Sequence, residues 1–307
     1  MFRFPWRPIA VVSILLVTVG AFINFFVTHD EVRQQIRQTT PSVLVALLAL
    51  YLVFMLSLGL IFLATLKLCR TTLPLQEVTL VTMYSSIVNF FGPLQTGPAF
   101  RGVYLKKQHN VSLKNYTAAT LAYYGFYALF SGLFLLSGVL GWWLIAIVAL
   151  SALLLLGLRY VKIPIIERFW QLDLRGLYVM AAATFIQVLI ISTLFFVELK
   201  TVDPYVTFGQ TIIYTGAANF ALFVSITPGA IGFRESFLVL SQHLHHISNS
   251  TIVAANLLDR TAYISMLLLL VVFIFGTHAR NRLVAATKNK QPNSQTTTFR
   301  PDHNDSL

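Results

Sequence analysis

Two short stretches of the chain place an arginine just beyond a proline–glycine break in otherwise apolar sequence. Residues 85–101 read SSIVNFFGPLQTGPAFR, and residues 218–235 read ANFALFVSITPGAIGFRE. Each carries an asparagine (Asn89, Asn219), then Pro-x-x-x-Gly (Pro93 and Gly97; Pro228 and Gly232), then an arginine (Arg101, Arg234). Pro98 suits the first turn of a helix, where its missing N–H would be unpaired in any case. A helix over about 98–107 would present free backbone N–H groups near Gly97, with Arg101 one turn in. That combination suits a phosphate or a carboxylate. The second break, Thr227-Pro228-Gly229, adds Glu235, for which Arg234 and Arg260 are alternative partners. The competing reading makes both arginines interfacial anchors whose long side chains reach for water.

Other polar residues lie within apolar runs. Asp259 and Arg260 are adjacent and point about 100° apart on a helix. Asn256, Arg260 and Tyr263 share one face, at i, i+4 and i+7. Thr120, Tyr124, Tyr127 and Ser131 form a stripe that reads as interhelical hydrogen bonding, as does Gln187. His243, His245 and His246 have no accompanying carboxylate, so no metal site is expected. Cys69 is the only cysteine and excludes an internal disulfide or thiolate cluster. There is no His-Glu-x-x-His, Walker loop or Gly-x-Ser-x-Gly. No cofactor is expected, nor the chemistry of an ATP-driven pump or a conventional intramembrane hydrolase.

The elements that must position these residues follow from composition. The chain has 307 residues, 56% of them hydrophobic and 11% charged, against roughly 45–50% and about 25% in an ordinary globular protein. Apolar runs at 9–27, 42–66, 116–140, 142–158, 176–199 and 251–277 approach or exceed the roughly 20 residues needed to cross a bilayer. Two more segments, 78–100 and 207–233, are broken by Pro and Gly. If both dip in and return, 17 of the 22 Lys and Arg residues fall on the side of the N-terminus. If both cross, the count is nearly even. The positive-inside tendency therefore favours the first arrangement. The expected fold is an all-α polytopic integral membrane protein with about six full spans and two re-entrant helical hairpins. It lies in the inner (plasma) membrane with both termini cytoplasmic. The membrane domain is expected over 1–284, and the Asn-, Ser-, Thr- and Gln-rich stretch 285–307 as a disordered tail. The charge of +11 is spread over several loops, which argues for anionic lipid and against nucleic acid.

The two breaks also belong to an internal repeat. Pro93 and Pro228, like Gly97 and Gly232, are 135 residues apart, and Ala118-Ala119-Thr120-Leu121 aligns with Ala254-Ala255-Asn256-Leu257 at 136. Three full spans separate the copies, so the halves, about 42–140 and 176–277, would be inverted. Inverted repeats with broken helices mark substrate sites in secondary transporters.

Pro93…Gly97…Arg101, Pro228-Gly229-x-x-Gly232-x-Arg234-Glu235 and Leu258-Asp259-Arg260 resemble the flippase region of lysylphosphatidylglycerol synthases and its stand-alone relatives. The resemblance covers about residues 5–280. Family members commonly carry an Arg and a Glu where this chain has Gln95 and Pro98, and a Glu-Arg pair where Tyr123-Tyr124 stands. The first half has lost charges that the family often keeps. The resemblance implies translocation or presentation of a phospholipid or lipid-linked intermediate without an enzymatic step. Asn89, Pro93, Gly97, Arg101, Asn219, Pro228, Gly229, Gly232, Arg234, Glu235, Asp259 and Arg260 are the expected substrate-binding residues. The alternative is an accessory subunit for a lipid-modifying enzyme or glycosyltransferase, and either reading is compatible with a homo-oligomer.

Overall fold

Apolar runs with no water to satisfy their backbone can only close their hydrogen bonds locally, as helices. The computed structural model describes residues 40–91, 96–141, 143, 174–224 and 233–288, and among these every regular element is a helix. The run at 9–27, the run at 142–158 apart from residue 143, the residues Pro93, Pro228, Gly229 and Gly232, and the tail from 289 lie outside the described residues. The chain divides into a compact unit ending at Leu268 and a second beginning at Leu269; the site lies wholly within the first.

The helices, in order, are α1 (Pro41–Leu68), α2 (Leu75–Phe91), α3 (Thr96–His109), α4 (Leu113–Leu140), α5 (Leu174–Val202), α6 (Phe208–Val224), α7 (Phe233–Leu240), α8 (Gln242–His245) and α9 (Asn249–Lys288). Among the described residues four stretches are long and apolar enough to cross a membrane: Pro41–Leu68, Leu113–Leu140, Arg175–Val202 and Asn249–Gly276, of 28 residues each. At 1.5 Å per residue each is about 42 Å long, more than the roughly 30 Å hydrocarbon core. α9 ends at Lys288, a few residues into the stretch expected as tail, because Ala285 and Ala286 are strong helix formers.

The two broken segments are helix pairs. α2 has 17 residues and α3 has 14, so they are about 25 and 21 Å long, and neither spans the core alone. They run antiparallel, with Asn89 beside Gly97, Ser85 beside Arg101, and Glu77 beside both Tyr104 and His109. The hairpin extends beyond the apolar run at 78–100 because Lys106, Lys107 and His109 complete the last turn of α3, where cations favour the helix dipole. Asn110, in the left-handed conformation, closes that helix (φ 53°), and the Val111 N–H then donates to the Leu105 carbonyl (3.2 Å). α6 and α7 form the second pair. The element order is thus the same in both halves: a long helix, a helical hairpin, then a long helix. The halves interlock, because α4 packs on α6 through Ser131 and Asn219, while Phe90 of α2 meets Tyr263 of α9 (5.4 Å between ring centroids).

The polar end of the first hairpin carries a pH dependence. Tyr104 donates to Glu77 Oε1 (2.5 Å), and His109 Nε2 meets the same oxygen (2.6 Å). Partial burial works against the Glu77 carboxylate, but the bonds from Tyr104 and His109 outweigh it and hold its pKa below 4.5. Burial and the bond to Glu77 push Tyr104 up to about 12. A carboxylate with a lowered folded-state pKa stabilises above its unfolded value, and that contribution disappears as pH falls through the folded value. The thermal midpoint should therefore drop on acidification below about 4.5, with a shallower drop in Glu77→Gln. Equal acid slopes in the two chains would remove Glu77 as the cause.

Candidate functional site

Arg101 sits on α3 one turn beyond the chain reversal. Its guanidinium lies over the Phe62 ring of α1, 5.1 Å from the centroid, and its Nε donates to Ser85 Oγ of α2 (2.6 Å). The nearby ionisable groups on α4 are phenols: Tyr116, Tyr123 and Tyr124. Among the described residues no carboxylate lies within ion-pair distance of Arg101. The hairpin around it is fixed from within. Asn89 Oδ1 accepts the Gly97 N–H (3.1 Å), the Thr96 hydroxyl donates to the Val88 carbonyl (2.9 Å), and the Tyr116 hydroxyl donates to the Pro98 carbonyl (2.8 Å). Asn89 therefore caps α3, and the Gly97 N–H is already occupied.

The second half answers with charge. Arg234 lies over the Phe195 ring of α5 (4.8 Å) and donates from Nη1 to Asp259 Oδ2 of α9 (2.6 Å). Asp259 Oδ1 accepts from the Tyr51 hydroxyl of α1. Next along both helices, Arg260 donates to Glu235 from Nε (3.2 Å) and from Nη2. Adjacent Arg234-Glu235 on α7 thus meets adjacent Asp259-Arg260 on α9 as two ion pairs of opposite sense. Of the two partners open to Glu235, the fold selects Arg260. Asp259 is 6% exposed, and α9 begins at Asn249, so this pair is well inside the helix. Glu198 of α5 also faces Asp259 and Arg234 and is 1% exposed. Asn219 is turned elsewhere, with Nδ2 donating to Ser131 Oγ (3.1 Å).

The halves match in geometry and differ in charge. Arg101 and Arg234 are 133 residues apart, and so are the rings beneath them, Phe62 and Phe195. Each arginine therefore rests on the same face of the first helix of its own half. The carboxylates have no such counterparts. The position 133 before Glu198 is Thr65, whose hydroxyl bonds the Ile61 carbonyl, and the position 136 before Asp259 is Tyr123. The first half holds a cation among hydroxyls and rings; the second holds two arginines with Asp259, Glu235 and Glu198.

The remaining polar residues have structural partners. Tyr123 donates to Gln187 Oε1 (3.0 Å). His245 is buried with both ring nitrogens engaged, Nε2 with the Leu238 carbonyl and Nδ1 with the Ile247 N–H (3.1 Å each). No group of three metal-ligating side chains occurs among the described residues, and Cys69 is a buried free thiol. Sequence reasoning missed Phe62, Phe195, Tyr51 and Glu198. Only Glu198 carried a signal, as a carboxylate inside an apolar run.

No curated protein matches the chain. The family model described as the lysylphosphatidylglycerol synthase TM region matches residues 10–271, which takes in both hairpins, both stacked arginines and the Asp259-Arg260 pair. With four membrane-length helices among the described residues and that match over most of its length, the chain belongs to the lysylphosphatidylglycerol synthase TM-region family of multi-pass membrane proteins, whose role is a membrane-lipid one.

Proposed function

We propose that the protein binds the phosphate of an anionic phospholipid or lipid-linked intermediate at Arg101 and carries that lipid across the cell membrane. It performs no covalent chemistry, and both termini lie in the cytoplasm. The observation that supports this most strongly is the difference between two equivalent arginines. Arg234 is matched by Asp259, whereas Arg101 rests on Phe62 with a serine and phenols around it. A buried or half-buried cation without a carboxylate is costly in a membrane unless an anion completes it. The planar guanidinium can donate to two phosphate oxygens at once. Pairing with Asp259 and Glu235 makes Arg234 and Arg260 the rigid, neutralised counterpart.

Charge-assisted hydrogen bonds of about 1.5–3 kcal/mol make Arg101→Ala roughly 10- to 100-fold weaker in binding. Native mass spectrometry of the purified chain with an anionic phospholipid reads the binding, and a headgroup-labelled lipid in liposomes reads the movement. Arg101→Lys should keep part of both. Wild-type binding and movement by a folded Arg101→Ala chain would sink the assignment.

One feature favours the second reading, an accessory subunit. Lys106, Lys107 and Lys114 are exposed together around the end of the first hairpin, as a basic surface for a lipid-modifying enzyme or glycosyltransferase. Co-purification with such an enzyme that is lost on replacing these lysines, without intrinsic lipid movement, would select it.

A further inference from the structure

Glu198 has no role in the anion site, and its surroundings raise a separate question. Its side chain is almost fully enclosed, at 1% exposure, and its Oε1 accepts no hydrogen bond. Arg234, the nearest cation, does not serve it: Nη1 goes to Asp259, while Nε and Nη2 make no hydrogen bond. Glu198 lies one turn along α5 from Phe195, the ring on which Arg234 rests, and its carboxyl neighbours both Arg234 and Asp259. Two carboxyl groups can hold such a contact only if a proton lies between them, because ionised carboxylates are acceptors and carry no hydrogen to donate to one another.

The division of roles follows from the other contacts. Asp259 already accepts from Tyr51 at Oδ1 and from Arg234 at Oδ2, which is how an ionised carboxylate is satisfied. Glu198 has no hydrogen-bond donor at Oε1 among the described residues and is left as the acid. The charge count agrees. Arg260 and Glu235 neutralise each other, and Arg234 can neutralise only one of the two remaining carboxyls. With both ionised, the interior would hold an uncompensated negative charge, which is strongly disfavoured away from water. With one proton, the cluster is neutral. The titratable and charged groups around the pair are Tyr51 of α1, Tyr214 of α6, Arg234 of α7 and Tyr263 of α9, with Tyr127 of α4 beside Arg234. Arg234 is the only cation among them.

We propose that Glu198 and Asp259 form an intramembrane proton-binding site that holds a single shared proton at neutral pH, with Glu198 the acid and Asp259, fixed by Tyr51 and Arg234, the base. The ligand is a proton, bound among helices of both halves, where intramembrane carboxyls commonly serve as relays. The site stands whether or not Arg101 binds a lipid phosphate.

Infrared spectroscopy of the purified full-length chain tests this directly, because a protonated carboxyl shows a C=O stretch that an ionised one lacks. The expected result at neutral pH is such a band in the wild type and in the control Asp203→Asn, and its loss in Glu198→Gln. Glu198→Asp, which keeps an acid of the same type, should retain the band at a shifted frequency, and it supplies the answer if Glu198→Gln does not fold. A wild type without a protonated-carboxyl band, or a band untouched by both substitutions, would overturn the proposal.

Discussion

Asp259→Ala should destabilise the protein by up to about 3–5 kcal/mol, the usual cost of removing one partner from a buried ion pair, and by less to the extent that Glu198 gives up its proton and becomes the counter-ion of Arg234. The loss is not simply that of one contact. Arg234 is 12% exposed at its side chain and Asp259 is 9% exposed, so the guanidinium cannot recover its solvation by turning to water. The Tyr51 hydroxyl loses its carboxylate acceptor in the same step and keeps only the longer contact to the backbone carbonyl of residue 259 (3.4 Å). Asp259→Asn should fall between, since an amide oxygen can still accept from Tyr51 while the charge is gone. The paired substitution Arg234→Leu with Asp259→Leu should recover much of the loss, because replacing both charges with apolar groups leaves none uncompensated. The readout is the unfolding midpoint in detergent. A midpoint in Asp259→Ala equal to wild type would mean that Arg234 is solvated or held otherwise. The position also separates stability from the proposed binding: Asp259→Ala acts on the second half, while Arg101→Ala acts on a residue with no ion pair to break among the described residues.

The long helices were legible because their signal is local. The runs at 42–66, 116–140, 176–199 and 251–277 correspond to α1, α4, α5 and the apolar part of α9, since a stretch of such length and composition has few alternatives. The hairpin character of 78–100 was legible from Pro and Gly, and the antiparallel contacts between α2 and α3 agree with it. Arg101, Arg234, Glu235, Asp259 and Arg260 stood out because each interrupts or directly follows an apolar run. Their pairing did not. Asp259 is 25 residues from Arg234, as Arg260 is from Glu235, and nothing in local periodicity reports a contact between separate helices. The rings under the arginines were hidden for another reason: with 25 phenylalanines in the chain, Phe62 and Phe195 look like any other lipid-facing or core residue. Glu198 was overlooked because it lies near the end of its apolar run, beside Lys200, where a charge reads as interfacial. Asn89 and Asn219 were expected among the substrate-binding residues, but an asparagine that caps a helix and one that bridges two helices share the same apolar context.

Gly216→Leu should cost about 3 kcal/mol or more, at the upper end of what overpacking costs in a filled interior. The reason is how closely α6 approaches α4. A Cβ at position 216 would lie 2.4 Å from the Leu135 backbone nitrogen, 2.7 Å from the Ser131 carbonyl oxygen and 2.8 Å from the Leu135 Cα. These are backbone atoms, so no side chain can turn aside and the helices must separate. Membrane helices gain most of their association from such close approach across small residues. Separation would also strain the Asn219–Ser131 bond, one turn along the same face of α6. Gly125 provides the opposite case. It lies in α4, and a Cβ added there would meet nothing within 4 Å, so Gly125→Ala should stabilise by about 0.5–1 kcal/mol through helix entropy alone. Unfolding midpoints of the two variants should therefore move in opposite directions. If Gly216→Leu leaves the midpoint in place, α4 and α6 are not in contact there, and the coupling between the first half and the second hairpin must run through other residues.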